Sequence, residues 1–474
     1  MKNIFVITCI CYLLLPPFQS AAANTKDSLI AKEITRLLDN GEPGLLHFPG
    51  TVKRLYQQNG KQPIWMKPQS GEGPAWQVMM MLDCVLQYGL SPGDYHPEEL
   101  TYNRMHQALD TPANAGVNER ARLEIVLTDA MITFLNHLHY GKFNRQYTTA
   151  VIDGKDFKGF HADSAILVAI HEKRAYDFWA NAEKAQPVTK AYRELQRRMR
   201  LLEGQYAGDN YEVSNQEIRL IAINMERLRW QNLEEGNYIR INLPAYALQY
   251  HEHDNDYTFR VAVGSKVNHT PELSGRITYL TTAPDVVVPR ERFINELLPA
   301  AIRDTAFLKK NKYALYDKSG RYIVINSKSI LAVTQHPNNY NLRHASGHDA
   351  ALGRLVFRFT NPYRIDLHDM PRKAFFDQDN RAITTGCVWL DDAEKLGQLV
   401  LTNDGQPKSA KSLPKAMKKY QREVFMLGKP LPITIVYQTC AIKEGELITY
   451  PDIYQKDVEL EVKLFPPNEI LATR

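Results

Sequence analysis

The spacing of apolar residues changes character near Glu217, and that change constrains the fold of this 474-residue chain more than any other feature. Before it the spacing is helical. Ala31, Ile34, Leu37 and Leu38 fall on one helical face, and similar patterns run through Trp76 to Tyr88, Arg120 to His139 and Ala191 to Leu202. Gly89-Leu90-Ser91-Pro92-Gly93-Asp94-Tyr95 reads as a turn, and Gly141 stands where a glycine stop is expected. Ile218 to Trp230 is one more amphipathic helix. After it the chain alternates as strands do, at Tyr238 to Leu243 and Ala247 to Tyr250. Asp254-Asn255-Asp256 turns the second of these into Tyr257 to Val263, a hairpin. Further short strands are expected at Arg276 to Leu280, Arg321 to Asn326, Leu355 to Phe359 and Ile433 to Tyr437. Between them, a helix over Phe293 to Thr305 and a loop rich in Asn, His and Ser suggest a lid-like insertion. The expected class is α+β: a mostly helical scaffold domain over 24–215, then a β-rich domain over 216–474 with a helical capping insertion at about 290–348.

Composition narrows the function classes. With 44% hydrophobic and 23% charged residues the chain is globular and not disordered. A net charge of +5 on so long a chain argues against a dedicated nucleic-acid binder. Lys2, an apolar run from Ile4 to Phe18 and the small residues Ser20 to Ala23 form a secretory signal pattern over 1–23. That run is short for a membrane span and is interrupted by Pro16-Pro17, so no stable span is expected unless the signal stays uncleaved. Cleavage would take Cys9 and Cys11 with it, leaving Cys84, Cys387 and Cys440. Their wide spacing matches no metal motif, and an odd number leaves at least one thiol either inert or a working nucleophile. Cys84 is expected to be buried in its helix and Cys440 in the core after the last strand.

The sequence has no P-loop, G-x-S-x-G, H-E-x-x-H or EF-hand pattern. His251-Glu252-His253 falls at the tip of a hairpin and reads as a solvated turn, and Asn268-His269-Thr270 matches a glycosylation sequon that is short enough to arise by chance. His368 ends a strand-like run, and Cys387 follows nineteen positions later behind Gly386. A cysteine needs a neighbouring base to supply thiolate, which a His on an adjacent strand can provide. Backbone N–H groups around Gly386-Cys387 could hold an oxyanion. By spacing alone a Cys and a His in one chain are more often structural than catalytic.

His368 and Thr384-x-Gly386-Cys387 resemble the signature of the L,D-transpeptidase catalytic domain (YkuD type), and the surroundings resemble its large periplasmic branch. The resemblance rests on Gly89 to His96, Leu127-Thr128-Asp129-Ala130, Asn224 to Trp230, Thr270-Pro271, Ala351-Leu352-Gly353-Arg354, Asn361-Pro362-Tyr363, Leu367 to Pro371 and Pro451 to Tyr454. It implies a periplasmic cysteine acyl-transferase acting on peptidoglycan stem peptides, with other cell-wall enzymes as further partners and neither metal nor organic cofactor. Cys387 would be the nucleophile and His368 the base, oriented by the backbone carbonyl of Asp369, with Gly386 and Thr385 completing the site. Trp389, Tyr363 and Arg381 would meet substrate. The sequence departs from the pattern in places: Thr385 replaces the signature His, Trp389 replaces an Arg or Asn, and Asp285-Val286-Val287-Val288-Pro289 lacks the Trp the family often carries before Val-Pro. These departures leave a thiol hydrolase on the same stems, or an impaired peptidoglycan-binding scaffold, as alternatives to a cross-linking enzyme.

Overall fold

The computed structural model describes residues 20–40, 45–67, 73–110, 115–171, 178–205, 215–231, 236–253, 255–284, 286–311, 313–319, 321–344 and 353–466. The signal expected over 1–23 lies outside the described residues as far as residue 19, and residues 20–23 open the helix Ser20–Asn40. Among the described residues no helix is long and apolar enough to cross a membrane.

The chain forms two compact units, Met1–Asn232 with Glu459–Arg474, and Leu233–Val458. The boundary expected at 215/216 therefore falls too early. The helix Asn215–Arg229 belongs to the first unit, because its buried face (Ile218, Ile221, Met225) and its buried Arg229 are satisfied there. Arg229 donates to the Tyr88 carbonyl at 2.5 Å and to the Tyr192 hydroxyl at 2.9 Å.

The first unit is helical and built around Val117–Tyr140, a helix of 24 residues buried on nearly every side. All-round burial is possible because its buried carboxylates, Glu124 and Asp129, are hydrogen-bonded internally. Glu124 is fully buried and accepts the N–H groups of Ile64, Trp65 (3.0 Å) and Met66 (2.7 Å) and the Tyr56 hydroxyl (2.8 Å). One turn on, Asp129 accepts from the His47 and Phe48 N–H groups at 2.9 and 2.8 Å and meets His96 Nε2 at 2.7 Å. His47, His96 and Asp129 are thus the group among the described residues whose ligand-type atoms come within 4.8 Å of one another. Asp129 already holds two backbone donors and His96, so the cluster ties two loops to the central helix. Cys84 is exposed, contrary to the expectation of burial, because it caps Pro74–Asp83 where the chain leaves the helix.

The second unit is β-rich. Its main strands are β1 (Tyr238–Asn242), β2 (Ala247–Glu252), β3 (Asn255–Gly264) and β4 (Leu273–Thr282). An insertion contributes β5 (Val286–Val287), β6 (Tyr313–Asp317), β7 (Tyr322–Ile323) and β8 (Tyr340–His344). Then come β9 (Leu355–Phe359), β10 (Leu367–Asp369), β11 (Ala382–Thr384), β12 (Val388–Leu390) and β13 (Val424–Val436). The large sheet runs β11-β3-β12-β10-β9-β4-β13-β1-β2, and β2 also pairs with β3, so the sheet closes on itself. The hairpin expected at 247–263 is present, and His251 at its tip hydrogen-bonds Asp256 across 2.7 Å, as a turn residue would.

Alternation sorts the residues of these strands between two faces. Leu355, Phe357, Leu367, Val388 and Leu390 join the core, with Leu396, Val400, Leu401, Leu413 and Met417 from the helices Ala393–Asn403 and Pro407–Lys418. Cys440 is buried, as expected of a core residue. The insertion is more than helical: it folds its own sheet, β5-β8-β6-β7, around a separate core that includes Val288, Phe293, Leu315, Ile330 and Leu342. A loop reading of that Asn-rich segment misses β6 and β8, since Tyr340-Asn341-Leu342-Arg343-His344 and its surroundings are too polar for a short alternation to stand out. The last expected residues of the insertion, 345–348, lie outside the described residues.

Candidate active site

β10 and β12 are neighbouring parallel strands in which Leu367 faces Val388 and His368 faces Trp389. Leu367 and Val388 point into the core, so His368 and Trp389 point to the opposite face. Asp366 and Cys387 immediately precede β10 and β12, and continuing the alternation by one residue before each strand puts both on that same face. β9 adds Arg358 to it, whose guanidinium pairs with Asp366 at 2.8 Å. One sheet face therefore carries Cys387, Asp366, Arg358, His368 and Trp389.

His368 is buried, and its Nδ1 lies 3.0 Å from the Asp369 carbonyl oxygen. A carbonyl only accepts, so Nδ1 carries the proton and Nε2 keeps its lone pair. Burial pushes the His368 pKa below the ordinary imidazole value, against the upward pull of the Asp369 carbonyl. Burial also pushes the Cys387 thiol up, opposed first by a hydrogen bond from the Asp366 backbone. Asp366 raises both groups and Arg358 lowers both. The resting pair is consequently neutral thiol and neutral imidazole, suited to proton transfer when a substrate arrives. Among the described residues no hydrogen bond joins the thiol to the ring.

The turn before Cys387 is held by two threonines. Thr384 accepts the Gly386 N–H at 3.1 Å and donates to the Cys387 carbonyl at 2.6 Å. Thr270 donates to the Gly386 carbonyl at 2.8 Å and accepts the Gly264 N–H at 2.8 Å. Tyr454 closes the network, donating to the Gly264 carbonyl at 2.7 Å while accepting the Thr270 N–H at 3.2 Å. This narrows the expected oxyanion donors. The Gly386 N–H is taken by Thr384 and the Val388 N–H by the Asp366 carbonyl, whereas among the described residues the Cys387 N–H has no hydrogen-bond partner. What Gly386 contributes is its φ of +114°, a region that side-chain-bearing residues avoid.

The remaining expected residues divide. Asp369 is buried and its carboxylate is held by the Arg354 backbone and guanidinium. Trp389 packs on Phe375 with ring centroids 5.3 Å apart, beside Met370 and Phe376. Thr385 is exposed on the turn, and Tyr363 is 59% exposed in the loop after β9. Arg381 is engaged with backbone: its Nε donates to the Val261 carbonyl of β3, its Nη1 to the Phe376 and Gln378 carbonyls, and its guanidinium lies 5.2 Å from the Tyr246 ring centroid.

Thr270, Asp366 and Arg358 were not legible as site residues, and Thr384 was legible only as part of the signature. Thr270 and Tyr454 lay within quoted motifs, and the sequon ending in Thr270 has its hydroxyl buried and committed to the turn. An Arg and an Asp eight positions apart carry no signal until the loop after β9 folds back.

A closed sheet with a cysteine and a buried histidine on one face, the cysteine behind a glycine turn, offers a thiol and a base of the kind that nucleophilic chemistry requires. Residues 236–413 match the family model of the L,D-transpeptidase catalytic domain (YkuD), and residues 50–199 match that of the Scaffold domain. The chain thus carries a YkuD domain behind a helical Scaffold domain. A Haemophilus influenzae protein named "Putative L,D-transpeptidase" is 29% identical over 245 residues, covering 51% of this chain and 49% of that protein. The chain spans about half the length of the curated relative it matches.

Proposed function

We propose that this chain is an exported peptidoglycan L,D-transpeptidase that forms 3–3 cross-links between stem peptides in the periplasm. The observation that carries the reading is the placement of Cys387 and His368 on one face of adjacent strands within the residues matching the catalytic domain.

In this mechanism His368 Nε2 takes the Cys387 proton as sulfur attacks the carbonyl between the L-centre of diaminopimelate and D-Ala. The oxyanion forms against the Cys387 N–H, and the intermediate collapses as the imidazolium protonates the departing D-Ala amine. The side-chain amine of a second diaminopimelate then gives a proton to His368 and attacks the thioester. Sulfur leaves as thiolate and recovers the proton from the imidazolium. The Asp369 carbonyl holds Nδ1–H throughout, which keeps Nε2 facing the chemistry.

Purified protein mixed with tetrapeptide-bearing muropeptides is expected to give cross-linked dimers and free D-Ala, with Cys387→Ala inert. Tripeptide stems without dimers would replace transfer by hydrolysis. That second reading is favoured by Trp389, bulky where the family carries Arg or Asn, and less strongly by Thr385, exposed where the signature carries His. Absence of both products, with no carbapenem adduct on Cys387, would assign the chain a binding role.

A further inference from the structure

The insertion leaves the sheet after Thr282 of β4 and returns at Leu355 of β9, two residues that pair in the ladder. Its two roots are bound together, since the Ala283 N–H donates to the Arg354 carbonyl at 2.9 Å. Both roots use left-handed backbone, Ala283 at φ +44° and Gly353 at φ +61°. Such conformations persist where surroundings over-determine them, and for Ala283 the conformation is strained.

The returning root grips Asp369 at both ends. The Arg354 N–H and Nε reach Asp369 Oδ2 at 3.1 and 3.2 Å. Gly353 lies so close to the Asp369 carbonyl that an added Cβ would overlap its oxygen. That same oxygen holds His368 Nδ1. Asp369 is 1% exposed, so without Arg354 its carboxylate would be a buried charge lacking its cation, and the residue would have to shift.

We propose that Gly353 and Arg354 are positioning residues for His368 and act on it through Asp369. The segment that anchors the insertion to the sheet thereby also sets the tautomer and orientation of the base. A displacement at this root moves the carbonyl that holds Nδ1, so the insertion and the proton-transfer step are mechanically joined. This rests on the reading of His368 as the base, and the test is arranged to separate the two.

The full chain, labelled with 15N-histidine, would be followed by NMR across pH, with the His368 ring assigned by His368→Gln. In the native protein the ring should be the Nδ1–H tautomer. In Arg354→Ala, checked for an intact fold by near-UV circular dichroism, the ring should become a mixture of tautomers. Asp369→Asn should mix the tautomers likewise, and Arg354→Lys, which keeps a cation within reach, should restore the native one in part. With tetrapeptide stems, Arg354→Ala should lower kcat about tenfold at unchanged KM. A folded Arg354→Ala variant with the native tautomer would overturn the proposal, as would a change confined to KM. The NMR arm needs no turnover, so an inert native protein would defeat the reading of function and leave this test intact.

Discussion

Thr270 Oγ1 donates to the Gly386 carbonyl across 2.8 Å, joining residues 116 positions apart and anchoring the turn that presents Cys387. The hydroxyl also accepts the Gly264 N–H, so one buried oxygen holds two backbone segments. Thr270→Val keeps the shape and leaves that N–H and the Gly386 carbonyl unpaired. The expected loss is about 1–3 kcal/mol of stability, with slower acyl-enzyme formation. Thr270→Ser should retain most of both. Chemical denaturation and carbapenem acylation rates measure the two effects, and a Val variant as stable and as fast as native would refute the role.

Gly386→Ala separates backbone strain from steric clash. An added Cβ would find its nearest neighbour, Ile365 Cδ1, at 3.5 Å, so there is room for it. The φ of +114° is what alanine resists. We expect a cost of about 1–3 kcal/mol. A displaced sulfur should lower the acylation rate by roughly 100-fold. A crystal structure of the variant should show the turn rearranged while β10 and β12 keep their register.

The thiol titration has a predicted sign. Burial raises the Cys387 pKa, and the Asp366 charge adds to the rise while Arg358 opposes it. Alkylation by iodoacetamide should therefore rise with pH with a midpoint above the ordinary thiol value. Asp366→Asn removes the raising charge and leaves Arg358 unopposed, so the midpoint should move down. An upward shift in that variant would contradict the assignment of the Asp366 charge as a cause of the raised thiol.

Glu124 governs the stability of the helical unit. It is fully buried, and burial raises its pKa while the N–H groups of Ile64, Met66 and Trp65 hold it down. In Glu124→Gln an amide group would face donors where a carboxylate oxygen now accepts, which should cost roughly 3 kcal/mol. Glu124→Asp keeps the charge and falls short of the three N–H groups, so it should cost nearly as much. Thermal melting of the full chain compares the two.

Much of the architecture is legible in the sequence because it is periodic. Helical spacing identified the first unit, and two-residue alternation located β1, β2, β3 and β9 to within a few residues. The boundary between the units was misplaced because Asn215–Arg229 is amphipathic and its apolar stripe does not say which core it joins. Cys84 was misjudged for a related reason, since helical spacing does not mark where a helix ends.

Within the site, the sequence by itself determined the chemistry available. It supplied a thiol behind a glycine and a histidine in a strand, with the family resemblance that joins them. Only the tertiary structure decided how they are held. Thr270 reaches Gly386, Arg354 reaches Asp369, Arg358 pairs with Asp366, and Arg381 donates to backbone carbonyls. The physical reason is that burial and alternation repeat along a chain and leave a pattern in it. A hydrogen bond between distant residues repeats nothing and is set by which strands the closed sheet makes neighbours.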